Sequence, residues 1–153
     1  MEKLFELRSP EDTQDLAERF APQLSAGDII LLEGPIGAGK THFARSLIQA
    51  LLPEPEDIPS PTFTIVQVYD GPDCEIWHSD LYRLSHPDEA IELGLEEAFE
   101  TAICLIEWPD RLGDETPEAA LKITLDVSDD LRARTAVLSW TDPRWGQKIE
   151  AVS

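Results

Sequence analysis

Eight consecutive residues carry the first chemical signal in this chain. Gly34-Pro35-Ile36-Gly37-Ala38-Gly39-Lys40-Thr41 satisfies the pattern G-x-x-x-x-G-K-[ST] at every fixed position. A loop of this kind binds phosphate because successive backbone N–H groups, here around Gly37, Ala38 and Gly39, converge on one anion. Glycine permits that close approach and the φ angles it demands. The same pattern assigns Lys40 to the β- and γ-phosphates of a nucleotide and the Thr41 hydroxyl to Mg²⁺.

Phosphoryl-transfer chemistry also needs a carboxylate near the metal and a group that orients the attacking water. Two acids end apolar segments, Asp80 after EIWHS and Glu107 after ICLI. Strand carboxyl ends face the ligand crevice of α/β sheets, so both qualify, and the residues alone do not rank them. Thr62 follows a proline-rich stretch; it reads either as the threonine of a nucleotide switch or as an ordinary strand-initiating residue. His78 reads as a structural histidine in preference to a proton carrier. Tyr82 and Arg83 read as braces of the metal-side loop, or Arg83 as the partner of a nearby acid. Trp108 follows Glu107 directly, where a large aromatic either packs or docks a partner.

The elements that must position these groups are legible from periodicity. Asp28–Glu33 is a continuous apolar run, as expected of a strand buried on both faces, and Ala102–Glu107 is another. After the loop, Phe43, Leu47, Ala50 and Leu51 recur at helical spacing up to Pro53. Strand, loop and helix in that order place the loop at a helix N-terminus, where the macrodipole favours an anion. Upstream, Lys3–Arg8 alternates as a strand, and Ser9-Pro10-Glu11-Asp12 reads as an N-cap with Pro at N1, opening a helix that ends near Pro22.

Downstream, 53–61 reads as a loop, and 62–69 and 75–80 as an antiparallel strand pair around the turn 70–73. Residues 87–99 read as one helix, a short helix or turn follows Pro109, and 121–127 and 135–140 read as strands around the turn Asp129-Asp130. From Thr141 the chain reads as a polar, frayed tail. The whole, residues 1–153, reads as one α/β domain, P-loop NTPase-like and three-layered, with a mixed, partly parallel central sheet.

Composition narrows the functions open to such a fold. The chain has 31 acidic and 12 basic residues, a formal net charge of −19. That argues against direct, unaided binding to a nucleic-acid backbone, which needs clustered Lys and Arg. Cys74 and Cys104 lie far apart with no His or Cys at metal-ligand spacing, as expected of free thiols in a reducing compartment. The N-terminal residues lack the apolar core of a signal peptide and no apolar run reaches membrane-spanning length, so a cytoplasmic, membrane-free protein is expected.

Four segments in order, Gly34–Thr41, Ser60-Pro61-Thr62-Phe63, His78-Ser79-Asp80-Leu81-Tyr82-Arg83 and Glu107-Trp108-Pro109, resemble the bacterial TsaE family. The resemblance runs from about Phe5 to Trp140. It departs at Pro35 and Ile36, where the family commonly has an acidic residue and Leu, and at His42, which replaces a second Thr or Ser. It implies an ATP-hydrolysing accessory protein of tRNA threonylcarbamoyladenosine formation, with ATP and Mg²⁺ as cofactors. TsaD-like and TsaB-like proteins are the implied partners, and tRNA is reached only through them. It further implies Glu107 as metal ligand, Asp80 beside it, Thr62 as γ-phosphate sensor, and Arg132 and Ser9 near the nucleotide base. No guanine-reading segment such as Asn-Lys-x-Asp is present, which favours adenine. A small-molecule kinase and a non-hydrolysing nucleotide switch are the competing readings; scattered arginines after the loop helix offer no basic lid for the former.

Overall fold

The computed structural model describes residues 1–54, 58, 65–84, 86–128 and 133–153. Among them the strands are β1 (Glu2–Leu7), β2 (Ile29–Glu33), β3 (Val66–Asp70), β4 (Glu75–Asp80), β5 (Ile103–Glu107), β6 (Leu121–Val127) and β7 (Arg134–Ser139). The helices are α1 (Pro10–Phe20), α2 (Lys40–Leu51), α3 (Asp88–Glu92), α4 (Leu95–Thr101) and α5 (Arg144–Val152), with 3-10 turns at Ala21–Gln23 and Pro109–Glu115. All the strands join one sheet in the order β1-β7-β6-β2-β5-β4-β3.

The middle of that sheet, β6-β2-β5-β4, is parallel, and both margins are antiparallel. This follows from the residues. β2 (IILLE) and β5 (ICLIE) are apolar without alternation, so they are at home only where both faces are covered. Ile30 and Leu32 point into a core shared with Leu16 and Phe20 of α1, Phe43 and Leu47 of α2 and Trp145 of α5. Ile29 and Leu31 point the other way, into a second core with Leu95 and Ala98 of α4 and Leu112. Phe20 and Phe43 meet edge to face at 6.3 Å and tie α1 to α2. The result is the helix–sheet–helix layering and mixed sheet expected from sequence.

Two expectations need correction. The segment from Thr141 is not a frayed tail: α5 buries Trp145, Ile149 and Val152 completely or nearly so. Their spacing of four and three is a helical stripe, diluted in the sequence by charged neighbours and Gly146. The helix expected over 87–99 is broken at Gly94 (φ +86), which ends α3 and starts α4. Of the strand expected over 62–69, residues 62–64 lie outside the described residues, and β3 holds the rest from Val66, after Ile65 at φ +64. Among the described residues no helix is long and apolar enough to cross a membrane.

Candidate functional site

The parallel strands end together, and their ends make the site. β2 runs out at Glu33 into the glycine loop, whose last two residues, Lys40 and Thr41, open α2. Gly34 at φ +142 is the tightest point: a Cβ there would stand 2.1 Å from the carbonyl oxygen of Leu125 on β6, so only glycine lets the loop leave the sheet at this angle. Pro35 and Ile36 form the outer arch of the loop, with the Ala38 N–H bonded to the Pro35 carbonyl at 3.2 Å and Ile36 projecting into solvent.

β4 and β5 are parallel and in register, with Asp80 opposite Glu107 and His78 opposite Leu105. Side chains alternate along a strand, so His78 and Asp80 share the face of Ile76, and Glu107 shares that of Leu105, both toward α2. The Thr41 hydroxyl donates to Glu107 Oε1 at 2.8 Å, and His78 Nε2 lies 2.7 Å from Glu107 Oε2. Glu107 is 2% exposed and His78 fully buried, so the carboxylate is satisfied by these donors and not by bulk water. Asp80 is less enclosed and accepts the Tyr82 backbone N–H at 3.1 Å. Burial holds the Asp80 carboxyl above the usual carboxylate range; the Tyr82 N–H opposes that shift and the Glu107 charge adds to it.

Lys40 is buried, and its ammonium reaches the Gly34 carbonyl at 2.5 Å and the face of Trp108 at 3.6 Å from the ring centroid. Burial pulls its pKa below the ordinary lysine value, against the opposing pull of Glu107, Asp80 and Asp110. Trp108 takes a left-handed backbone (φ +58, ψ +54), a conformation that costs a bulky residue on the order of 1–3 kcal/mol. That turn lays the indole over Lys40 and 5.0 Å from the Tyr82 ring. Loop, Lys40, Thr41, His42, Asp80, Tyr82, Glu107 and Trp108 together line a cavity of about 460 Å³. Another cavity, of about 380 Å³, opens beside Leu24, Leu51, Cys74 and Ile76 and has no Lys or Arg in its lining, so it offers nothing to a phosphate. Cys74 and Cys104 are free, and burial raises both thiols, Cys104 to about 12, so neither is an activated nucleophile.

The donor set suits a hard divalent cation carried in with a nucleotide. Thr41 and Glu107 offer two oxygens side by side, and Mg²⁺ commonly takes one or two protein oxygens and completes its shell with phosphates and water. Among the described residues there is no cluster of three or more His, Cys, Asp or Glu that would bind a metal unaided.

Lys40, Thr41, Asp80, Glu107 and Trp108 therefore converge on one cavity. Ser9 does something else with its side chain: its hydroxyl caps α1 by accepting the Asp12 N–H at 3.2 Å. Its segment still borders the site, because His42 Nε2 lies 3.0 Å from the Pro10 carbonyl oxygen. Thr62 and Arg132 lie outside the described residues. The arginine that touches the loop is Arg134, whose Nη2 donates to the Gly37 carbonyl at 3.3 Å and whose side chain runs beside Gly39. Sequence reasoning missed it. The available signal was the hairpin: Arg134 pairs with Val127, two residues past the carbonyl against which Gly34 packs.

Comparison with known proteins agrees with this geometry. The family model described as threonylcarbamoyl adenosine biosynthesis protein TsaE matches residues 7–136. The tRNA threonylcarbamoyladenosine biosynthesis protein TsaE of Rickettsia bellii is 42% identical over 124 residues, covering 81% of this chain and 86% of the relative. Its counterpart in Bacillus subtilis is 35% identical over 123 residues, covering 80% and 76%. The crystal structure of Bacillus subtilis YdiB superposes with a TM-score of 0.81 at 28% identity, covering 99% of this chain and 94% of that one. The family model and these relatives, matched over most of the chain, identify it as a member of the TsaE family of tRNA threonylcarbamoyladenosine biosynthesis proteins.

Proposed function

We propose that this protein is a Mg²⁺-dependent ATPase of the cytoplasm that serves tRNA threonylcarbamoyladenosine formation by acting on a complex of TsaD-like and TsaB-like proteins. The observation that carries the reading is the Thr41–Glu107 contact of 2.8 Å at the mouth of the phosphate loop, with Lys40 on the same cavity wall. The loop N–H groups around Gly37 and Gly39 hold the phosphates at the α2 N-terminus, Lys40 leaves Trp108 and Gly34 to neutralise them, and Arg134 braces the loop from β7. Thr41 and Glu107 would hold the metal, which when bound offsets charge on the phosphate oxygens. Asp80, facing the same cavity, orients the attacking water. The resemblance alone assigns Thr62 to the γ-phosphate and Arg132 to the base, with the Ser9 segment beside it.

The acidic surface, −19 overall, fits a protein that reaches tRNA only through its partners. The experiment is phosphate release from ATP, with and without Mg²⁺ and with and without the partner complex. Slow Mg²⁺-dependent release that the complex accelerates supports the reading. A phosphorylated metabolite in place of free phosphate would make the protein a kinase, and tight binding without release even with partners would make it a switch.

A further inference from the structure

We infer that His78 is a positioning residue for the metal side of this site, holding the Glu107 carboxylate in the one orientation that keeps its other oxygen on Thr41. The inference rests on the Mg²⁺–nucleotide reading above and adds a residue to it.

The geometry is a relay across three elements. His78 lies on β4, Glu107 ends β5 and Thr41 stands in the first turn of α2. His78 sits opposite Leu105 in the β4–β5 register, so its ring reaches diagonally, one side-chain repeat along the same face, to Glu107. Both carboxylate oxygens are then engaged, Oε2 by His78 at 2.7 Å and Oε1 by Thr41 at 2.8 Å, which leaves the group no free rotation about its last bond. Thr41 is itself a candidate metal ligand, so among the described residues the His78 bond is the anchor of Glu107 that metal binding leaves in place. A histidine serving only to fill the core would not need its polar edge on a buried acid.

The proton's place follows from partners. A carboxylate accepts, so Nε2 must carry hydrogen. Nδ1 is buried and has no hydrogen-bond partner among the described residues. The His78 edge that faces Glu107 is therefore the Nε2–H edge. Partners that orient a metal ligand in this way are commonly worth 10–100-fold in metal affinity.

The test measures affinity for a non-hydrolysable ATP analogue by calorimetry, with and without Mg²⁺, for wild type, His78→Leu and His78→Gln. His78→Leu should lose about tenfold or more of the gain that Mg²⁺ confers, with its metal-free affinity unchanged. His78→Gln, which can return an N–H to Glu107, should recover most of it, and the Mg²⁺ concentration for half-maximal hydrolysis should follow the same order. Full Mg²⁺ enhancement in folded His78→Leu, or His78→Gln as impaired as His78→Leu, would overturn the inference while leaving the nucleotide reading intact. Absence of any Mg²⁺ enhancement in wild type would sink both. Should His78→Leu fail to fold, long-range ¹H–¹⁵N spectra of the wild type decide: a proton on Nε2 supports the bond, and a proton on Nδ1 alone refutes it.

Discussion

Lys40 rests against a backbone carbonyl and an aromatic face. Neither carries a full charge, and burial has already stripped the ammonium of water. Lys40→Ala should therefore cut ATP hydrolysis on the order of 10²–10³-fold, the usual loss for a transition-state charge donor, while the circular-dichroism melt stays cooperative. Normal turnover by the folded variant would remove the loop from the mechanism. Asp80 is the opposite case, a carboxylate that the fold penalises. Its raised pKa means the folded protein binds a proton there where the unfolded chain does not. Stability falls as pH rises through that window, and the full cost persists above it. Asp80→Asn should then raise the melting temperature at about pH 7, with the gain vanishing below about pH 4, where wild type is protonated in both states. The same change should slow hydrolysis about 10²-fold or more if Asp80 orients water. A lower melting temperature at neutral pH would show that the Tyr82 bond outweighs the burial cost.

At the scale of elements, the phosphate loop is fixed by where it touches its neighbours. Gly34 and Gly37 both have positive φ, but a Cβ at Gly34 would strike the Leu125 carbonyl oxygen whereas at Gly37 nothing lies within 4 Å. Chemical denaturation should show Gly34→Ala losing about 2–4 kcal/mol and Gly37→Ala only about 1–2 kcal/mol, the backbone term alone. Equal losses would mean that the loop can shift away from β6. What could be read in advance follows the same division between local and non-local. The loop, the N-cap at Ser9, both unbroken apolar strands and the strand-end acids Asp80 and Glu107 are local patterns, and each is where periodicity put it. Arg134 on the loop and the diagonal His78–Glu107 bond depend on which strands become neighbours, which no short window contains. The α5 stripe of Trp145, Ile149 and Val152 was present in the sequence but obscured by Arg144, Gly146 and Lys148. Lys148 and Arg144 are themselves tethers, reaching the buried Asp28 at the foot of β2.

Over the whole molecule, the chain carries a net charge of −19, yet the mouth of the site presents apolar groups. Ile36 and Tyr82 are exposed beside Trp108. Such a rim suits docking onto a larger, more basic partner, with charge setting the encounter rate and the aromatic anchoring the complex. Trp108→Ala should lower the partner-stimulated hydrolysis rate about tenfold or more and the basal rate less, and stimulation in wild type should weaken as salt is raised. Equal basal and stimulated losses would confine Trp108 to its contact with Lys40. The sheet order carries a consequence of another kind, for the growing chain on the ribosome. β1 and β2 are successive in the chain, yet β7 and β6 stand between them, and the Met1 amino group bonds to Trp140, 139 positions away. At roughly 5–20 residues per second, β1 waits about 10 s for the strand that will flank it. Until then its ladder groups have no strand to bond. Stalled synthesis before residue 134 should yield a chain in which β2, β4 and β5 can assemble but β1 stays open to proteases and to other nascent chains.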